Sequence, residues 1–452
     1  MITNPEDLAL FTDLYELTMV QAYWAEGMHD TATFSLFSRR LPEHRNFLVA
    51  AGVNEALEMV ERLQFSSDAI EYLQSQKVFQ PAFLQWLSDW KFRGDISALP
   101  EGTPFFENEP LLEVSAPLPQ AQLLESLLMN QVHLPTLLAS KATRVTSAAQ
   151  GRTVMDFGLR RMHGIDAALK AARAFYIAGI DATSNVLAGR RYGIPVAGTM
   201  AHSFVEAYDR EIDAFRDFAS IYHEPVLLID TYDVAEGTRN VIRLARELDD
   251  PARIRGVRID SGDLGPLARM VRSMLDAAGL GDVQIFVSGG LDEQKIEALV
   301  TGSFPIDGFG VGTSMGVSED APALDIAYKL TAYAGTGRLK LSSGKATLPC
   351  RKEVFRGFDS EGWATGDMIA RFDEECHGER LLHSVMQEGR RVGPALESLD
   401  ASRKRAARRI AQLSPELRAL TSADPPYRVS VSRSLGESQE HVIDRLRREM
   451  SL

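Results

Sequence analysis

Cysteine is almost absent: Cys350 and Cys376 are the only two in 452 residues. Two thiols rule out a disulfide framework and leave too few ligands for a cysteine-built zinc site. Free thiols in a reducing cytoplasm are the expectation. The chain has no apolar run of about 18 residues, so no membrane-spanning helix is expected. Its first residues, MITNPEDLALFTDLYELTM, lack a basic stretch followed by an apolar one, so no signal peptide is expected. Excess positive charge is also missing. The net charge is −13, which argues against nucleic acid or an anionic membrane as partner. A local basic pocket for a phosphorylated substrate is compatible with that balance. The motif GxxxxGK[ST] is absent, so the chain is not a P-loop nucleotide binder.

What is present is a rhythm. Hydrophobic residues make up 45% and charged residues 25%, as in a globular protein, and the length implies two or three domains. Seven short apolar runs between residues 150 and 313 each end in a small polar or charged cluster. They are 154–160, 178–185, 196–203, 226–233, 257–263, 285–290 and 307–313. Most stretches between them carry helical periodicity. Strand–helix alternation at this spacing predicts parallel βαβ units and an α/β barrel, with the chemistry at the carboxyl ends of the strands. Residues 8–28, 50–64 and 120–148 are expected to be mostly helical, and 31–37 a strand. The Gly- and Pro-rich stretch 92–118 suggests a small sheet. Three regions are expected: an N-terminal α+β domain over 1–135, completed by 333–384; the barrel over 136–332; and a helical C-terminal extension over 385–452. The basic run Arg403-Lys404-Arg405 with Arg408-Arg409 reads as a solvated helix face.

The strand-end clusters carry the candidate chemistry. Ser288-Gly289-Gly290 and Gly308, Gly310 and Gly312-Thr313 follow consecutive apolar runs. Glycine lets backbone N–H groups approach one anion, and helix N-termini add their positive ends. Asp230-Thr231-Tyr232-Asp233 and Arg258-Ile259-Asp260-Ser261-Gly262-Asp263 both place carboxylates at i and i+3, suited to a polyol or Mg²⁺. Helix capping is the bland alternative for Asp233 and Asp263, with a ligand role the favoured one. Arg258 and Arg160-Arg161 suit anionic groups. Phe157 offers a flat face for a ring. His202, in Gly198-Thr199-Met200-Ala201-His202-Ser203, is a candidate base or nucleophile.

Taken in order, TDLYELTM (12–19), SKATRV (140–145), DFGLRR (156–161), DATSN (181–185), GTMAHS (198–203), DTYD (230–233), RIDSGD (258–263), SGG (288–290) and GFGVGT (308–313) resemble the nicotinate phosphoribosyltransferase family over residues 8–360. The resemblance implies an irregular α/β barrel of the type II phosphoribosyltransferase kind, joined to an open-faced β-sandwich-like domain. It also implies a cytoplasmic homodimer with shared active sites, and formation of nicotinate mononucleotide and pyrophosphate from nicotinate and 5-phosphoribosyl-1-pyrophosphate. ATP, as co-substrate, is coupled through a phosphohistidine, with Mg²⁺ required. On that footing His202 is the phosphorylated residue. Ser288, Gly289, Gly290, Gly310, Gly312 and Thr313 hold the 5′-phosphate. Asp260 and Asp263 meet the ribose and, with pyrophosphate, Mg²⁺. Asp230 is a further substrate contact. Arg258 and Lys141 face pyrophosphate, and Arg160 faces the substrate anions. Phe157 and Tyr15 sandwich the pyridine ring, Tyr15 coming from the other subunit. Family members have glycine where this chain has Cys350, which puts a left-handed turn there in question. The helical tail beyond about 400 lies outside the resemblance.

Nicotinamide phosphoribosyltransferase is the nearest alternative, with Asp181 as a conceivable acceptor for the amide. Quinolinate phosphoribosyltransferase is disfavoured, since it uses no ATP and has no counterpart of His202. A Schiff-base barrel lyase needs a strand-end lysine, and none of the seven clusters contains one. A non-catalytic paralogue has no use for the full Asp, Arg and His set.

Overall fold

The computed structural model describes residues 5–248, 253–341 and 347–450. The chain forms two compact units. One comprises residues 1–140 with 321–452, the other 141–320.

The first unit is built on antiparallel pairing across great sequence distance. A seven-stranded sheet runs in the order 336–337, 326–333, 31–38, 110–117, 95–98, 383–387, 390–391. Strand Thr31–Ser38 sits between two partners and is buried along seven of its eight residues. Both faces are therefore covered, which explains its alternation being weaker than an exposed strand's. A four-stranded sheet pairs Lys352–Phe358 with Ala364–Arg371 and adds Val429–Val431 in parallel to the latter. Residues 385–452 are thus no separate extension. Strand His383–Gln387 pairs with Asp95–Ala98, and Val429–Val431 completes the small sheet.

Some ion pairs inside this unit are buried and specific. Arg356, 1% exposed, meets Asp367 through two guanidinium nitrogens, and the Tyr427 hydroxyl donates to the same carboxylate at 2.7 Å. The basic run near the C-terminus is more than a solvated face. Arg409 forks onto Glu379, while Arg405 pairs with Glu397 and donates to the Glu101 carbonyl at 2.8 Å. Its helix, Leu399–Ala411, starts under a Ser398 cap on the Ala401 N–H.

Cys350 stands in the left-handed region at φ 68°. The turn that glycine would make freely is therefore made by a residue with a Cβ. The turn is held because the Cys350 N–H donates to the Thr331 carbonyl at 2.8 Å and its carbonyl accepts from Lys352 Nζ at 2.8 Å. A side chain in this region carries steric strain. Cys350→Gly is expected to stabilise the protein by about 0.5–1 kcal/mol, seen as a higher Tm in a thermal melt. A lower Tm would mean that thiol packing outweighs the strain.

The second unit contains a six-stranded, all-parallel sheet in the order 182–183, 153–156, 308–311, 284–287, 256–259, 226–228. Helices follow most of its strands, as in Val234–Glu247, Leu264–Ala277 and Glu293–Thr301. Six of the seven expected runs thus form strands. The run 196–203 does not. It makes one isolated bridge, Thr183 to Val196, and its end starts helix His202–Glu206. Among the described residues the ladder ends at 226–228 on one side and, on the other, at 182–183, where the Thr183 N–H donates to the Pro195 carbonyl and the Ala197 N–H to the Thr183 carbonyl, so the expected barrel is seen as a parallel sheet. Gly237 shows the tightness of the helix-to-sheet packing: a Cβ there would lie 2.2 Å from the Ile229 carbonyl oxygen.

Candidate active site

The carboxyl ends of these strands surround a cavity of about 440 Å³. Its wall begins at strand Thr153–Asp156. The buried Asp156 carboxylate accepts from the Gly158 N–H at 2.8 Å and the Thr183 hydroxyl at 2.7 Å. Burial raises its pKa while both hydrogen bonds oppose that shift. This anchor sets the turn that brings Phe157, Arg160 and Arg161 to the cavity. Gly310 matters for a second reason besides backbone access. A Cβ there would lie 2.5 Å from the Phe157 ring, so glycine makes room for that ring against the strand.

Arg258 enters from strand Gly256–Ile259. It donates to Asp260 Oδ1 at 2.8 Å, the Ser288 hydroxyl at 2.9 Å, Thr199 Oγ1 at 3.1 Å and the Met200 carbonyl at 2.7 Å. A guanidinium has five N–H donors, so most of this one is spent on protein. Burial pulls its pKa down and the Asp260 carboxylate opposes the change. Arg258 lines the cavity but is first a brace, tying segment 199–202 to the strand ends. Ser288 is buried and donates to Asp260, so it backs the cavity rather than facing it.

Asp260 is the hub. Its Oδ2 stands 4.0 Å from His202 Nε2, and the other imidazole nitrogen, Nδ1, lies 3.2 Å from the Thr231 hydroxyl. Asp230 ties the two acidic motifs together: its Oδ2 accepts from the Asp260 N–H at 3.0 Å and the Ser261 hydroxyl at 2.6 Å. Gly289, at φ 92°, passes so close to Asp260 that a Cβ would sit 1.8 Å from its carbonyl oxygen. No other residue fits there without moving the loop. Gly289, Gly290, Gly310, Gly312 and Thr313 all border the cavity.

Several expected site residues lie elsewhere. Lys141 is 1% exposed and is held by Glu293 at 2.5 Å and Asp320 at 2.7 Å, a structural ion cluster with Arg144. The expected pyrophosphate contact is therefore corrected: its charge is already paired, and it does not border the cavity. Asp263 precedes helix Leu264–Ala277 and is also outside the lining, without a side-chain cap bond. Asp233 caps helix Val234–Glu247 through the Glu236 N–H at 2.8 Å. Asp181 accepts from the Val154 N–H at 3.0 Å and does not border the cavity, which removes the acceptor considered for an amide. Tyr15 belongs to the first unit and lines a separate cavity there.

Arg161 borders the cavity as its doubled arginine suggested, and Ser184, Thr199 and Met200 join the lining without being expected there. Nothing local marked Thr199 or Met200, whose place follows from the Arg258 bonds. The lining pairs three arginines with one carboxylate, so the field favours an anionic ligand within an acidic chain.

The nicotinate phosphoribosyltransferase (NAPRTase) N-terminal domain matches residues 10–133, the NAPRTase family domain 153–358, and the C-terminal domain 374–439. The chain belongs to the nicotinate phosphoribosyltransferase family. Family likeness therefore extends beyond residue 360 into the tail, correcting the expected limit. The nicotinate phosphoribosyltransferase pncB2 of Mycobacterium tuberculosis is 50% identical over 430 residues, covering 95% of this chain and 93% of that protein. The Bacillus subtilis nicotinate phosphoribosyltransferase is 41% identical over 84% of this chain and 80% of its own length. The crystal structure of human nicotinic acid phosphoribosyltransferase superimposes with a TM-score of 0.85 at 30% identity, covering 95% of this chain and 99% of that one.

Proposed function

We propose that the protein is a nicotinate phosphoribosyltransferase of NAD salvage. It joins nicotinate to 5-phosphoribosyl-1-pyrophosphate, with ATP hydrolysis coupled through phosphorylated His202. The observation that carries the reading is the convergence of Phe157, Arg160, His202, Asp260 and the glycine loops on one arginine-rich cavity. In this reading the parallel sheet is the wall of an irregular barrel of the type II kind. The working unit is a cytoplasmic homodimer in which Tyr15 of a second copy faces Phe157 across the pyridine ring.

The chemistry follows from that arrangement. The nicotinate ring nitrogen forms a bond to the anomeric carbon as the carbon–oxygen bond to pyrophosphate breaks. Charge appears on the ribosyl carbon and on the leaving group, so fixed dipoles and positioning supply the catalysis. The loops Gly289–Gly290 and Gly310–Thr313 receive the 5′-phosphate. Arg160 and Arg161 meet the substrate anions, and Asp260 meets the ribose. His202 attacks the γ-phosphorus of ATP, forming a P–N bond and releasing ADP. Hydrolysis of that bond gives inorganic phosphate and restores the imidazole. A phosphoryl group beside Arg258 and Asp260 changes the charge that the substrates meet, which couples ATP to binding and release.

Mg²⁺ fits a limited protein ligand set. Among the described residues no group of three or more His, Cys, Asp or Glu side chains is placed to hold a metal ion. Asp230 Oδ1, however, is buried without a hydrogen-bond partner there. One or two carboxylates with substrate phosphate oxygens make an ordinary Mg²⁺ site, and Asp260 and Asp230 would hold it. When bound, Mg²⁺ would neutralise charge on the leaving pyrophosphate.

The test is product formation from phosphoribosyl pyrophosphate with nicotinate or nicotinamide, each with and without ATP. Nicotinate mononucleotide from nicotinate alone, faster with ATP, is expected. Turnover of nicotinamide would move the assignment to that substrate, and turnover of neither would overturn it.

A further inference from the structure

The first unit contains a cluster of acids that the proposed chemistry does not use. Glu16, in helix Leu14–Ala25, is fully buried. The single amide nitrogen of buried Gln122 donates to Glu16 Oε2 at 2.6 Å and to Glu125 Oε2 at 3.0 Å. Two carboxyl groups thus share one donor, which holds their Oε2 atoms close to each other. Glu16 Oε1 is buried with no hydrogen-bond partner among the described residues. Two such groups cannot both ionise cheaply in an apolar setting. Hydrogen bonding from Tyr15 and Gln122 opposes the rise that burial causes in Glu16 without cancelling it. Asp13, Tyr15 and Tyr23 face the pair from the first helix, and Tyr328 and Lys329 from strand Ile326–Tyr333. Lys329 is the one cation among them. The Asp13 carboxylate is itself taken by the Ser126 hydroxyl at 2.7 Å.

We propose that Glu16 and Glu125 share one proton and that this proton-sharing pair positions Tyr15. The pair clamps the start of the first helix to the segment 122–126, with the Asp13–Ser126 bond beside it. Tyr15 lies between these two ties, 51% exposed, in a cavity of about 650 Å³ that Glu125 also lines. Burial first, then the charge of Glu16, lifts the Glu125 carboxyl to about 7, and burial raises Glu16 as well. The role of Tyr15 at the pyridine ring rests on the reading above; the carboxyl pair itself does not.

The sign follows from proton linkage. A carboxyl whose folded-state pKa is raised binds more protons folded than unfolded. Its stabilising contribution is present below the ordinary carboxylate range. That contribution declines as pH rises and is lost above about 7. Losing the proton leaves two like charges on one amide and loosens the helix start.

The experiment compares wild type with Glu125→Gln over pH 5–9, by Tm and by KM for nicotinate. The variant's Tm advantage should grow with pH and level off above about 7, on the order of 5 °C. The wild-type KM should rise as the folded pair loses its proton, centred near pH 7 where the Tm difference levels off, by roughly 3–10-fold with kcat little changed, and the variant's should stay flat. Glu16→Gln should instead move the wild-type inflection to lower pH, which keeps the test open if the first variant does not fold. Parallel Tm curves for all three would overturn the carboxyl pair. A Tyr15→Ala control separates the two ideas. If KM is unchanged in it while the Tm inflection persists, the pair stands but its link to Tyr15, and the placement of Tyr15 at the ring, fails.

Discussion

Arg258→Ala should lower kcat/KM for nicotinate phosphoribosylation by roughly 10²–10³-fold, or about 3–4 kcal/mol. The reason is the number of parts that one side chain holds. Its guanidinium bonds Asp260, Ser288, Thr199 and the Met200 carbonyl. Removing it frees segment 199–202, leaves the Asp260 carboxylate without its cation, and takes positive charge from the cavity. Lysine should rescue poorly, because a point charge cannot meet acceptors in several directions. The measurement is steady-state kinetics of the alanine and lysine variants, with a thermal melt to exclude unfolding. Near-normal kinetics in Arg258→Ala would show that the network is not needed for turnover.

His202→Ala should abolish the covalent labelling of the protein by γ-labelled ATP and remove ATP stimulation. The imidazole sits between Thr231 and Asp260 at the cavity edge, with 39% of its side chain exposed. It is therefore held yet reachable. Activity with ATP should fall by more than activity without it, since one nucleophile serves only the ATP half of the cycle. The check is labelling followed by acid treatment, because phosphohistidine is acid-labile and a phosphoester is not. Label persisting in His202→Ala would place the phosphoryl group elsewhere and remove the coupling argument.

The two variants separate contributions that the geometry joins. Both residues border Asp260, and effects within one hydrogen-bonded network do not add. The double variant should therefore lose less than the product of the two single losses.

The parallel strands and their polar ends were legible in the sequence because period and punctuation are local. Runs such as VRIDSGD (257–263) and VLLIDTYD (226–233) state both the strand and its reactive end. Phe157, Arg160, His202, Asp260 and the glycines could be gathered because barrel-type topology brings strand ends to one rim. The run 196–203 was misread as a strand because apolar content alone does not distinguish a strand from a bridging segment. What its residues do depends on Arg258, which reaches them from 58 positions away along the chain.

Sequence by itself determined the α/β character, the strand-end motifs, the family and the arginine and histidine candidates. All of these rest on neighbours within a few residues. Tertiary structure alone decided that Lys141 is consumed by Glu293 and Asp320, that Gly310 makes room for Phe157, and that Gly289 is wedged against Asp260. It also decided that the tail completes the first unit's sheets and that Glu16 meets Glu125 across Gln122. The physical reason is the same in each case. Charge pairing, burial and steric exclusion act between groups that meet only when distant segments pack, and no local pattern records the partner.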